Sequence, residues 1–138
     1  MMHEFRRITI VKVRKPLSKQ VNEDLQWFGS SLGLFSLRDK NSSCFRVFIE
    51  LLKAAKLNRP MSSDELALRL GLSRGTVIFH LDKLIAAGLV AIHNGRYMLK
   101  ESNLEHLIEE LRQDAERVFA SLKQIAKEID IQIGFERH

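Results

Sequence analysis

The stretch Leu72-Ser73-Arg74-Gly75-Thr76-Val77-Ile78-Phe79-His80-Leu81-Asp82-Lys83-Leu84, LSRGTVIFHLDKL, decides the fold. Ser73 is a helix-start residue, because its side-chain oxygen can accept a backbone N–H of the first turn. Glycine and two β-branched residues then occupy the first turns, where stronger helix formers would be expected. Val77, Leu81, Leu84 and Ile85 are spaced i, i+4, i+7, i+8, which predicts a core stripe. Arg74, Thr76, Phe79, His80 and Lys83 are left facing outward. Such a helix is either simply solvated on its polar side or built to be approached closely there, and its surroundings decide between the two.

Upstream, CFRVFIELLKAAK (Cys44 to Lys56) puts Phe45, Phe48, Leu51, Leu52 and Ala55 on one face and predicts a buried helix, which NRPM breaks. SSDELALRL follows, with Ser62 and Glu65 three apart in a capping box and Leu66, Leu68 and Leu70 supplying apolar contacts. Gly71 opens a three-residue turn and suits the left-handed position after a helix. Downstream, Gly88 is a second helix-end glycine. LVAI (Leu89 to Ile92) and RYML (Arg96 to Leu99) predict two short strands around His93-Asn94-Gly95, and Asn-Gly is a strong hairpin signal because both residues tolerate positive φ. Helix, helix, tight turn, helix and hairpin form a helix-turn-helix with a wing, and no internal repeat competes with that order.

The flanks differ in character. FRRITIVKV (Phe5 to Val13), rich in β-branched residues and ending before Pro16, predicts a strand, and LSKQVNEDLQWFGSSLGL predicts a short helix with Val21, Leu25 and Phe28 on one face. The polar run Arg38 to Ser43 separates this N-terminal extension from the main module. After a second capping box, Ser102 with Glu105, the apolar residues Leu104, Ile108, Leu111, Ala115, Val118, Leu122, Ile125 and Ile129 alternate in steps of four and three. That heptad seam predicts a helix from Asn103 to Ile129, about 40 Å long at 1.5 Å per residue, too long to bury its seam on so small a module. A second copy of the chain is its natural cover. The organisation expected is therefore an N-terminal extension (1–40), a winged helix-turn-helix (41–100) and a C-terminal coiled-coil dimerisation helix (101–138).

Composition bounds the function. At 45% hydrophobic and 28% charged, the 138 residues are an ordinary globular mixture. The single cysteine, Cys44, excludes an intrachain disulfide framework. The N-terminus lacks a signal-peptide core and no apolar run approaches a membrane span, so a cytoplasmic protein without a membrane partner is expected. Charge is divided unevenly. Residues 1–100 carry 17 Lys+Arg against 8 Asp+Glu, a net +9, whereas residues 101–138 carry 5 against 9, a net −4. A basic body suggests a polyanionic partner.

With these motifs in place, LSRGTVIFHLDKLIAAGLV resembles the recognition helix and start of the wing in ArsR-like winged-helix transcriptional regulators, with MarR-type regulators as close relatives. Ser73, Thr76, Val77, His80, Leu81, Leu84, Ala87, Gly88, Leu89 and Val90 carry the resemblance, which spans about residues 44–100 and, more loosely, the tail. It does not reach residues 1–40. It implies a mainly α fold with a small β-hairpin wing, double-stranded DNA as partner, and terminal helices that dimerise. A palindromic operator follows for a homodimer.

The residues assign their own roles within that frame. Ser73, Gly75 and Thr76 let the helix start approach the major groove, Arg74 suits guanine, Thr76 or Phe79 a thymine methyl, and His80 and Lys83 continue the outward face. His80 is otherwise a packing residue. Asn94 and Arg96 form the wing tip, where Arg96 reaches phosphates or the minor groove, or is merely solvated. Arg6, Arg7, Lys12, Arg14 and Lys15 either track phosphates or protect an edge strand.

No catalytic signature is present (Walker loop, HExxH, GxSxG or Gly-rich dinucleotide turn), so no enzyme and no cofactor are expected. Cys44 lies on an apolar helix face and reads as core. The resemblance also raises metal sensing, but the helix before the recognition helix has no cysteine. In the tail His106, Glu109, Glu110 and Asp114 lack a second histidine, so no metal site is expected. Trp27, Phe28, Leu32, Leu34 and Phe35 either line a pocket for a small-molecule effector, whose identity the residues do not give, or form plain core. The alternative function is a winged-helix assembly module that binds protein and uses the coiled coil to hold a partner.

Overall fold

A computed structural model describes residues 9–16, 20–35, 39 and 42–136. Within them run helices α1 (Val21–Ser31), α2 (Ser43–Lys56), α3 (Ser63–Leu70) and α4 (Arg74–Ala86), strands β1 (Val90–His93) and β2 (Arg96–Leu99), and helix α5 (Leu104–Glu136). The expected class, mainly helical with one antiparallel hairpin and a long last helix, is what forms. Among the described residues no helix is long and apolar enough to cross a membrane.

The middle of the chain follows its local signals closely. Ser62 Oγ accepts the Glu65 N–H while the Glu65 carboxylate accepts the Ser62 N–H, both at 3.1 Å, which completes the capping box of α3. Gly71 ends α3 at φ +67. Ser73 then caps α4 by accepting the Thr76 N–H at 3.1 Å. Asn94 and Gly95, at φ +53 and +72, make the tight turn that sets the hairpin register Val90↔Leu99 through His93↔Arg96. Met61, just before α3, pairs with Tyr97 through two backbone hydrogen bonds of 3.0 and 2.7 Å. This bridge locks the wing to the start of α3.

Helix α2 is the spine of the core. Its Cys44, Val47, Phe48, Leu51 and Ala54 are buried against Leu66 of α3, Val77, Leu81 and Leu84 of α4, and Leu89, Val90 and Leu99 around the hairpin. The buried stripe runs through Val47 and Phe48, leaving the expected Phe45, Leu52 and Ala55 half-buried at its edge. The helix is capped from within the polar run that precedes it. Both carboxylate oxygens of Asp39 accept N–H groups, from Ser43 and Cys44, each at 2.8 Å, while Ser42 takes the left-handed region at φ +52.

Three expectations for the flanks need correction. Residues 9–13 form no strand; residues 5–8 lie outside the described residues. The segment runs beside α1, where Val11 donates to the Ser31 carbonyl at 2.7 Å and Trp27 Nε1 donates to the Val13 carbonyl at 3.0 Å. A helix offers only its terminal carbonyls, so no ladder can grow from it. Second, Val21 is 71% exposed, so the α1 contact lies on Phe28, Gly29 and Leu32 rather than on Val21. A Cβ on Gly29 would fall 2.6 Å from the Phe45 ring, which shows how closely α1 approaches α2. Third, α5 is capped by Asn103, whose Oδ1 accepts the His106 N–H at 2.8 Å, and not by Ser102.

Helix α5 has 33 residues and spans roughly 50 Å at about 1.5 Å per residue. Its first turns belong to the core: Leu107 and Leu111 are buried and Leu104 packs beside them. An ion pair of 2.8 Å between Lys100 and Glu110 fastens the same turns to the end of β2. Leu107 was not in the expected seam. Further along, Val118, Leu122, Ile125, Ile129, Ile131 and Ile133 are between 48% and 59% exposed, and Phe119 is 70% exposed.

Candidate nucleic-acid interface

The start of α4 is positioned by two rigid features, the Gly71–Ser73 turn and the buried stripe beneath. Ser73 and Gly75 are exposed, and nothing lies within 4 Å of where a Gly75 Cβ would be. The Ser73 hydroxyl donates to Thr76 Oγ1 at 2.8 Å, which orders both side chains of the first turn. Arg74, Phe79 and Lys83 are exposed, Phe79 at 66%, and Thr76 is half-buried. These residues share the outer side of α4 with Asp82, which is also exposed. A surface of this kind, with small residues at the helix start and basic and aromatic groups along it, can enter a major groove and contact base edges.

His80 does not belong to that face. It is 6% exposed, packs edge-on to the Phe79 ring at 5.3 Å between centroids, and its Nδ1 has no hydrogen-bond partner. The buried stripe of α4 is Val77, His80, Leu81 and Leu84, at i, i+3, i+4 and i+7, while Ile85 is half-buried. The sequence periodicity fits either flank, and α2 with its preceding cap covers the His80 side. Burial pulls the His80 pKa below its ordinary value, against the attraction of the Asp39 carboxylate and with the help of the Lys83 charge. Burial at this position thus favours the neutral imidazole. Asp39 itself is pushed up by burial, but the N–H groups of Cys44 and Ser43 and the nearby His80 outweigh this and hold it below the usual carboxylate range. Burial pushes the Cys44 thiol up to about 11, which makes it an inert core group.

At the wing, Asn94 and Gly95 are exposed at the tip, but Arg96 does not project freely from it. Its Nη1 donates to Glu65 Oε1 at 2.6 Å and to the Pro60 carbonyl at 3.4 Å. Arg74 likewise pairs with Asp64, Nε to Oδ1, at 3.2 Å. The sequence named Glu65 only as a cap and did not single out Asp64. Their pairing with residues 31 and 10 positions downstream has no local signal. Lys12, Arg14 and Lys15 are exposed, with the Lys15 ammonium 6.0 Å from the centre of the Trp27 ring; Arg6 and Arg7 lie outside the described residues.

The remaining candidates are dispersed. Among the described residues no three His, Cys, Asp or Glu side chains converge as a metal site would require. Of the five aromatic and apolar residues read as a pocket, Leu34 is core, Trp27 is tied to Val13 and Phe35 stacks on Phe45. Phe28 lines an open cleft shared with Leu104, Glu105, His106, Ile108 and Glu109 of α5.

Residues 49–91 match the family model described as winged helix-turn-helix DNA-binding. The module is a winged helix-turn-helix. The matched span starts within α2, contains all of α3 and α4 and ends in β1, so it holds the helix-turn-helix and the exposed α4 face. The match identifies a DNA-binding regulator domain, with double-stranded DNA as its partner. No curated protein sequence matches the chain.

Proposed function

We propose that this protein is a sequence-specific transcriptional regulator of the ArsR-like kind that binds a palindromic operator as a homodimer. The observation that carries the reading is the exposed start of α4, with Ser73, Arg74, Gly75, Thr76, Phe79 and Lys83 presented on a rigid core inside the matched DNA-binding domain. In this reading residues 41–100 contact DNA, Asn94 and Arg96 of the wing approach the backbone, and residues 101–138 dimerise. His80 supports the helix from beneath and reads no base. Selection of bound sequences from random duplexes tests the reading. A palindromic consensus with half-sites one helical turn, roughly 34 Å, apart is the expected result. Failure to bind any duplex more tightly than about 10⁻⁴ M at low salt refutes it.

The dimer part rests on the exposed seam Val118, Leu122, Ile125 and Ile129, flanked by Phe119 and Ile133. Leu104, Ile108, Leu111 and Ala115 complete the heptads, but Leu111 is already spent on the protomer's own core, so the intermolecular contact is assigned to the distal part of α5. Leu122→Asp would place a charge in that contact and should give monomers with weakened operator binding. Sedimentation showing the wild-type protein monomeric at micromolar concentration would remove the dimer. The exposed Phe79 favours a second reading, a protein-binding winged helix, which would show no salt-dependent affinity for duplexes.

A further inference from the structure

The two arginines on which DNA reading depends are both held by carboxylates from one turn of helix. Arg74 of α4 pairs with Asp64 at 3.2 Å and Arg96 of β2 with Glu65 at 2.6 Å. Asp64 and Glu65 are adjacent in the first turn of α3. Glu65 cannot follow an arginine outward, because the same oxygen that receives Arg96 also accepts the Ser62 N–H of the capping box. Asp64 has no part in the cap. Recognition helix and wing are thus tied to one acidic point lying between them.

We propose that Asp64 and Glu65 form a charge screen on the DNA-reading surface, occupying Arg74 and Arg96 in the free protein and thereby suppressing binding to arbitrary duplex. The proposal rests on the DNA-binding reading above. An exposed ion pair holds its partner by a factor of about five at most, so either arginine is released to a stronger acceptor. A bidentate contact to guanine is worth roughly 5- to 150-fold and therefore draws Arg74 away at a correct site. A lone phosphate, identical at every sequence, gains far less over a carboxylate already in place. On the DNA-facing surface two negative charges would also repel any backbone that came within about 8 Å, the screening length at physiological salt, whatever its sequence. The screen therefore costs arbitrary DNA more than it costs the operator. If the pairs were only braces between α3, α4 and the wing, removing them would loosen the surface and weaken binding everywhere.

The test uses the full chain with Asp64→Asn, Glu65→Gln and the double substitution. Gln at the third helical position still serves a capping box, so Glu65→Gln removes the charge and keeps the cap. Asp64→Asn leaves the cap untouched and keeps the proposal falsifiable should Glu65→Gln lower the unfolding midpoint. Affinity for the selected operator and for an unrelated duplex is measured by fluorescence anisotropy between 50 and 200 mM salt. Each substitution should raise affinity for unrelated duplex about two- to fivefold. Each should also steepen the log–log salt dependence by about 0.9 for each arginine released to phosphate. For Asp64→Asn operator affinity should rise less, so the ratio of specific to unrelated binding falls, whereas Glu65→Gln, which frees a backbone-contacting arginine, should raise both alike. Unchanged or weaker binding to unrelated duplex, with the salt slope unaltered, overturns the screen while leaving DNA binding intact. A wild-type protein that binds neither duplex brings down the DNA reading itself, and the screen with it.

Discussion

Leu107→Ala should destabilise the protein by about 3 kcal/mol, within the roughly 2–5 kcal/mol spanned by buried Leu→Ala changes. The middle of that range applies for a structural reason. Leu107 is fully buried and its surroundings include Leu111 at 5% exposure, so the lost side chain leaves a void in a filled core. The void cannot close by letting α5 drift, because the Asn103 cap and the Lys100–Glu110 pair hold its first turns in place. Urea unfolding at low, fixed protein concentration is the assay. With a slope of about 2 kcal/mol/M, the midpoint should fall by roughly 1.5 M. The control is Leu122→Ala, in a residue 59% exposed on the same helix, which should change the stability of the monomer by less than about 0.5 kcal/mol. At higher concentration the control should also lose stability, since dimerisation contributes by mass action. Equal shifts for the two variants in dilute solution would refute the division of α5 into a docked start and a free remainder.

Arg74→Ala should relax the base preference at one position in each half-site, at a cost of about 1–3 kcal/mol, as read by the sequence profile of selected duplexes; an unaltered profile would deny Arg74 a base. Asp39→Asn should cost about 1 kcal/mol at neutral pH through the weakened cap of α2. Because the folded-state pKa of Asp39 is depressed, its contribution is present above the ordinary carboxylate value and lost as pH falls through the folded one, so the gap between Asp39→Asn and wild type should close in acid. His80 has the corresponding sign for a base. Its folded-state pKa is also depressed, so stability should decline as pH drops below 6.5, where the unfolded chain takes up the proton first. His80→Leu should flatten that decline in urea midpoints compared between pH 7 and pH 5.

Many features whose partners lie within four residues were legible in the sequence, although the α5 cap falls on Asn103 rather than Ser102 and the Asp39 cap of α2 carried no helix-start pattern. The Ser62–Glu65 box, the Ser73 cap, the left-handed Gly71 and the Asn94-Gly95 turn all form as their residue types demand, because each is a short-range hydrogen bond or a backbone preference. They are enough to order the helices and the hairpin, and hence to reveal the helix-turn-helix. Helical periodicity, by contrast, defines a stripe without fixing its edges. Whether His80 or Ile85 completed the α4 stripe depended on which side α2 and Asp39 would cover, and whether Leu107 joined Leu104 and Leu111 depended on where α5 met the core. No strand pairs with residues 9–13, because the neighbour that the fold supplies there is a helix. The state of the two arginines was likewise decided in three dimensions. Residue type makes Arg74 and Arg96 cationic and exposed, but only the crossing of α3 with α4 and the bridge from Met61 to Tyr97 bring Asp64 and Glu65 within reach of them.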